Sequence, residues 1–199
     1  MGIITISQQL GSLGHPIAAA LAKQLGYRLV WRDLINQAAR RAGAPEVALS
    51  TMDELGLLGF CASPQACRLY RQAVAEVMQE LAAEGNVVIV GRAGQAILRG
   101  HPDTVHVRVT APAPLRAERA AREQGISLKA AQAQVAASDL FRRNYLRRLY
   151  RIRWDDPALY DLIINTERIT VKEATQLIRA VLDTRVSTMP EEKSILESV

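Results

Sequence analysis

Lysine and cysteine are both scarce in this 199-residue chain. The only lysines are Lys23, Lys129, Lys172 and Lys193, against 21 arginines. Cys61 and Cys67 are the only cysteines, which excludes both a disulfide framework and a four-thiolate zinc site. Aromatic residues make up 5% of the chain, and internal repeats and low-complexity segments are lacking. Residues 1–22 carry no Lys, Arg, Asp or Glu, yet Ser7, Gln8, Gln9, Ser12, His15 and Pro16 interrupt them, so they do not read as a membrane span. They also lack the basic n-region of a signal peptide. The expectation is a soluble, cytoplasmic protein with no membrane partner. The phosphate-loop motif GxxxxGK[ST] is missing too: its fixed positions fall on Gln8, Leu13, Gly14 and His15.

What is present is local basicity. The formal charge is +5, but Arg142, Arg143, Arg147, Arg148, Arg151 and Arg153 fall within residues 140–153 with no acid among them. Six cations in fourteen residues point to an anion site rather than a generally basic surface. On a helix, Arg143, Arg147 and Arg151 share one face, and like charges so placed repel unless an anion lies between them.

Short β-branched runs alternate with helical stretches. Residues 3–6, 27–31, 87–90, 105–109 and 161–165 read as strands. Ala/Leu-rich or periodic segments read as helices over 16–25, 33–41, 65–83, 113–124, 127–151 (one bent helix or a pair) and 170–184. Apolar strands separated by helices mean an α/β fold with a five-stranded parallel sheet covered on both faces. One domain over 1–184 is expected, with an inserted lid at about 127–153 and a flexible tail at 185–199. Residues 42–66 read either as a substrate flap or as a contact between copies of the chain, a homo-oligomer.

In a parallel sheet, ligands bind beyond the carboxyl ends of the strands. Ser7 to His15 lies there, between strand and helix, where backbone N–H groups and a helix N-terminus hold anions without charged side chains. Gly11 and Gly14 permit close approach. Read from the residues alone, His15 either begins the helix or faces a phosphate as a cation at lower pH. Arg92 and Asp33 either pair structurally or serve an acceptor site.

Several blocks occur in a telling order: Ile4-Thr5-Ile6-Ser7 leading to Gly11-Ser12-x-Gly14, then Val88-Ile89-Val90-Gly91-Arg92, then Asp139-x-x-Arg142-x-x-Tyr145. Last comes Trp154-x-Asp156-Pro157-x-x-Tyr160-Asp161-Leu162-x-Ile164-Asn165. Over about residues 3–182 the chain resembles the cytidylate-kinase-like proteins, relatives of the nucleoside monophosphate kinases. The resemblance implies a P-loop NTPase fold with a helical lid, and phosphoryl transfer from ATP to a CMP-like nucleoside monophosphate. It implies donor phosphates held at Ser7, Gly11, Ser12, Leu13, Gly14 and His15. Arg92 and Asp33 would sit at the acceptor, with Arg142, Arg143 and Arg147 as lid cations in the catalytic role.

Mg²⁺ would enter with the nucleotide. His15 stands where the motif has its Ser/Thr ligand, leaving Ser12 or Asp33 for that duty, and no dedicated metal site is expected. Leu13 replaces a loop glycine and Ala93 an aspartate. A nucleotide-binding regulatory protein that lost transfer is therefore the alternative reading. Nucleic-acid binding through the arginine stripe, with Tyr145, Tyr150 and Trp154 stacking on bases, is disfavoured because no recognised binding module is present.

Overall fold

The computed structural model describes residues 2–31, 40 and 64–187. Asp33 and most of segment 42–66 lie outside the described residues. Five strands form one parallel sheet: β1 (Ile3–Gln8), β2 (Arg28–Val30), β3 (Val87–Val90), β4 (Thr104–Thr110) and β5 (Leu162–Asn165), in the order β2-β3-β1-β4-β5. β1 is central, pairing with β3 (Ile3 opposite Val87) and with β4 (Ile3 opposite Thr104). The apolar runs needed both faces covered, and both are.

One face carries Ile4, Ile6, Val88, Val90, Val105, Val107 and Val109. It packs against helix α1 (Gly14–Leu25) and a C-terminal helix, Val171–Ser187. The other face carries Ile3, Val87 and Ile89. It meets Tyr70, Val74 and Met78 of helix α2 (Pro64–Glu84), and Leu98 just beyond the short helix α3 (Gly94–Ile97). Each such Val or Ile, fully buried, contributes about 1.5–3 kcal/mol. This second face turns polar towards the carboxyl edge, through Thr5, Ser7, His106 and Arg108.

Helix α4 (Ala113–Gln124) precedes a single continuous helix, α5 (Leu128–Tyr150), where the sequence left open one bent helix or two. Ser127 caps α5 by accepting from the Ala130 amide at 3.2 Å. Arg151 ends it in the left-handed conformation (φ 60°). Arg151 therefore does not extend the face of Arg143 and Arg147, which corrects the expected three-arginine stripe. The C-terminal helix, α6, runs to Ser187, past the expected boundary at 184, and Arg185 donates to the Thr104 carbonyl at 2.9 Å and to Asp161. The rest of the expected tail lies outside the described residues. Among those described, no helix is long and apolar enough to cross a membrane.

Candidate active site

The turn between β1 and α1 sits at the carboxyl end of the central strand. Its carbonyls are turned into the protein. Arg116 of α4 donates to the Leu10 carbonyl at 3.3 Å, Arg119 to the Gly11 carbonyl at 3.4 Å, and the Thr166 hydroxyl to the Ser12 carbonyl at 3.0 Å. Because the C=O and the following N–H of a peptide point in opposite directions, these anchors turn the intervening N–H groups away from the body. The amides of Gly11, Leu13, Gly14 and His15 meet no acceptor among the described residues. Pro16 has no N–H, and Ile17 closes the first helical bond onto Leu13 at 3.1 Å. Four open amides at a helix N-terminus make an anion site.

Each loop residue has a definable role in that geometry. Gly11 has φ 75°, and a Cβ there would run into the Arg116 backbone carbonyl. Gly14 is needed because the Gln8 side chain lies across it. The Ser12 side chain is fully buried and donates to the Gln9 carbonyl at 2.8 Å, closing the turn. Ser7 accepts from the Trp154 indole at 2.8 Å, so its hydroxyl ties the strand end to the segment after α5. Leu13 adopts φ 63° at the N-cap without a side-chain cap, a conformation disfavoured by about 1–2 kcal/mol for a residue with a Cβ.

The His15 ring stacks on Trp31 with centroids 3.7 Å apart, and its Nδ1 is buried without a partner. Burial holds its pKa below the ordinary imidazole value despite the nearby Glu123 carboxylate. The stacking on Trp31 and the lowered pKa favour His15 as the residue that begins the helix over a phosphate-facing cation.

Gly11→Ala tests the cradle directly. The left-handed φ and the backbone clash together cost about 1–3 kcal/mol. We expect a melting temperature lowered by several degrees and the loss of nucleotide-induced stabilisation, both measurable by thermal shift. A fully wild-type response to ATP would contradict the cradle.

At the neighbouring strand end, Gly91 (φ 79°), Arg92 (φ 53°) and Ala93 (φ 61°) form an unbroken left-handed run. Such conformations cost non-glycine residues about 1–3 kcal/mol each and persist where surrounding contacts enforce them. Here the Gly91 amide is held by the Ile6 carbonyl at 2.9 Å, and Gly94 packs against Thr5. The strained turn lies at the strand end next to β1, and the half-exposed Arg92 donates from its guanidinium to the Tyr70 hydroxyl at 3.1 Å.

Helix α5 closes the arrangement. Its buried positions include Val135, Ser138, Asp139, Tyr145, Leu146 and Leu149. At 100° per residue, Arg142 falls in the middle of that stripe, Arg143 beyond its edge and Arg147 on the far side. The exposures agree: Arg142 is half-buried and donates to Ser138, whereas Arg143 and Arg147 are exposed. Arg143 borders a cavity of about 380 Å³ between α4 and α5, lined also by Pro114, Val135 and Asp139. The sequence-derived pairing of Arg143 with Arg147 is thus a real surface feature, but the inward cation is Arg142.

The supporting residues Arg116, Arg119 and Arg108 carried no sequence signal of their own. Arg116 forms a buried two-pronged ion pair with Asp139 of α5 (2.7 and 3.2 Å), and Arg119 is bound to Thr166 at 2.9 Å. Arg108, buried on β4, lies over the Trp154 ring (4.7 Å) and the Tyr160 ring (5.6 Å) and donates to the Trp154 carbonyl. Only the Trp154–Tyr160 block hinted at this last cluster. No group of three or more His, Cys, Asp or Glu that could hold a metal exists among the described residues, and the Ser12 hydroxyl is committed to Gln9. Asp33, the other candidate for Mg²⁺, lies outside the described residues.

The sequence profile of the cytidylate kinase-like family matches residues 3–168. A cytidylate kinase of Pyrococcus horikoshii is 30% identical over 182 residues, covering 91% of this chain and 88% of that protein. Among solved structures, an uncharacterized protein from Eubacterium ventriosum superposes with a TM-score of 0.73 at 22% identity, covering 92% of this chain and 99% of that one. A gluconokinase from Sinorhizobium meliloti does so with a TM-score of 0.59 at 17% identity, covering 94% and 97%.

Proposed function

Since this chain belongs to the cytidylate kinase-like family, we propose that it moves a phosphoryl group from ATP to a nucleoside monophosphate, with CMP as the leading acceptor. The observation that carries the reading is the set of open amides of Gly11, Leu13, Gly14 and His15, on a turn whose Leu10, Gly11 and Ser12 carbonyls are anchored by Arg116, Arg119 and Thr166. They can hold a polyphosphate without the ammonium group of a loop lysine.

Phosphoryl transfer asks the protein for positioning and positive charge rather than a covalent participant. An acceptor phosphate oxygen attacks the γ-phosphorus, the bond to the bridging oxygen breaks, and ADP leaves with that electron pair. In this reading the loop amides fix the donor phosphates and Arg92 holds the acceptor phosphate with its planar fork. Helix α5 acts as the lid, and Arg142 on its inward stripe neutralises charge on the transferring group.

A coupled ADP-release assay with ATP and a panel of CMP, dCMP, UMP, AMP and GMP tests it. Turnover with CMP above the rate without acceptor is expected. No turnover with any of the five at high protein concentration would end the kinase reading. Leu13 favours a second reading, because a branched side chain stands in the left-handed N-cap position beside the open amides. A nucleotide-binding protein without transfer would show thermal stabilisation by ATP and no ADP release.

A further inference from the structure

Two tyrosine hydroxyls are buried without any partner, and both belong to the inner side of α5. Tyr145 is 9% exposed, and neither its hydroxyl nor that of Tyr150 makes a hydrogen bond among the described residues. Their rings lie 5.8 Å apart at 59°, and the two hydroxyls are near enough to act on each other's ionisation, with no partner outside the pair among the described residues. Tyr70 of α2, fully buried, joins them, and its hydroxyl accepts from Arg92. Arg92 lies within electrostatic reach of both Tyr145 and Tyr150, and Tyr70 and Tyr145 belong to one buried cluster against which Tyr150 packs.

An unsatisfied buried hydroxyl destabilises a folded protein, and native structures rarely keep one without a reason. Here two stand together beside a cation on a strained turn. Burial pushes both phenols above the ordinary tyrosine range, so both remain protonated donors. Neutral donors near a guanidinium suit an anion with several acceptor oxygens, and Arg92 itself is half-exposed.

We propose that Tyr145 and Tyr150 donate their hydroxyls to the acceptor's phosphate group alongside Arg92, making them binding residues rather than core packing. This rests on the kinase reading above for the identity of the acceptor, but not for the anion itself.

Tyr145→Phe, Tyr150→Phe and the double variant keep ring volume and remove only the hydroxyls. Without ligand, the variants are expected to melt at or above the wild-type temperature, because an unsatisfied polar group is gone. Stabilisation by inorganic phosphate and by CMP should weaken, with each hydroxyl worth about tenfold in Kd, or about 1.4 kcal/mol. Stabilisation by ATP, bound at the loop, should not change. Where turnover is measurable, KM for CMP rises while KM for ATP stays constant.

Variants that melt lower with unchanged phosphate and CMP responses would overturn the proposal and return the tyrosines to the core. A wild-type protein that responds to ATP but not to phosphate or CMP would also overturn it, while leaving nucleotide binding intact. Phosphate-dependent stabilisation lost on hydroxyl removal, in a protein without turnover, would uphold the anion site and refute only the transfer reaction.

Discussion

Asp139→Ala is expected to cost about 3–5 kcal/mol of stability, the usual consequence of stranding one member of a buried ion pair. Arg116 and Asp139 have side chains 3% and 11% exposed and are joined by two parallel hydrogen bonds. Removing the carboxylate leaves a guanidinium buried, although its bonds to the Ala111 and Leu10 carbonyls keep the cost towards the lower end of that range. For a domain of this size, 1 kcal/mol moves the melting temperature by about 2–4 °C, so a drop of roughly 6–20 °C should be seen by calorimetry. Replacing both partners by apolar residues, Arg116→Met with Asp139→Leu, should recover much of the loss, since no unpaired charge remains.

The double variant separates stability from function. Arg116 also holds the loop carbonyl of Leu10, so ATP binding should stay weak even where the melting temperature recovers. A single variant that melts within 2 °C of wild type would show that the pair is not a tether between α4 and α5.

The largest expected effect on activity lies one turn along the same helix. Arg142→Ala should lower kcat by about 10³-fold, the order seen when a guanidinium that neutralises the transferring phosphoryl is removed. Its helical phase, between Asp139 and Tyr145, aims it inward. Arg147, exposed on the far side, should tolerate alanine within twofold. Arg142→Lys keeps a charge but loses the planar fork, and an intermediate loss is expected. Steady-state kinetics with saturating ATP and CMP, read beside the melting temperatures, decides it. Equal losses at 142 and 147 would mean that general positive charge matters rather than a directed group.

Much of the fold could be read before any coordinates. Runs such as Val87–Val90 are apolar at every position because both faces of a central strand are covered, and that pattern needs no partner to be seen. The loop after β1 was equally visible, since its two glycines and its place before a helix are local features. The phase of α5 was harder to see. Arginines recur through residues 142–153, and only the burial of Ser138, Asp139, Tyr145 and Leu149 shows which of them turns inward.

The chain's order of residues was enough to determine alternating strands and helices, a glycine-containing turn at the first crossover and a concentration of guanidinium groups near residue 145, because each depends on neighbours in sequence. Which groups hold that turn open was decided in three dimensions. Arg116 and Asp139 are 23 residues apart, Arg119 and Thr166 are 47 apart, and Ser7 and Trp154 are 147 apart. Hydrogen bonds across such distances leave no periodic trace in a sequence, since they exist only once the sheet has brought α4, α5 and the end of β5 around a single strand.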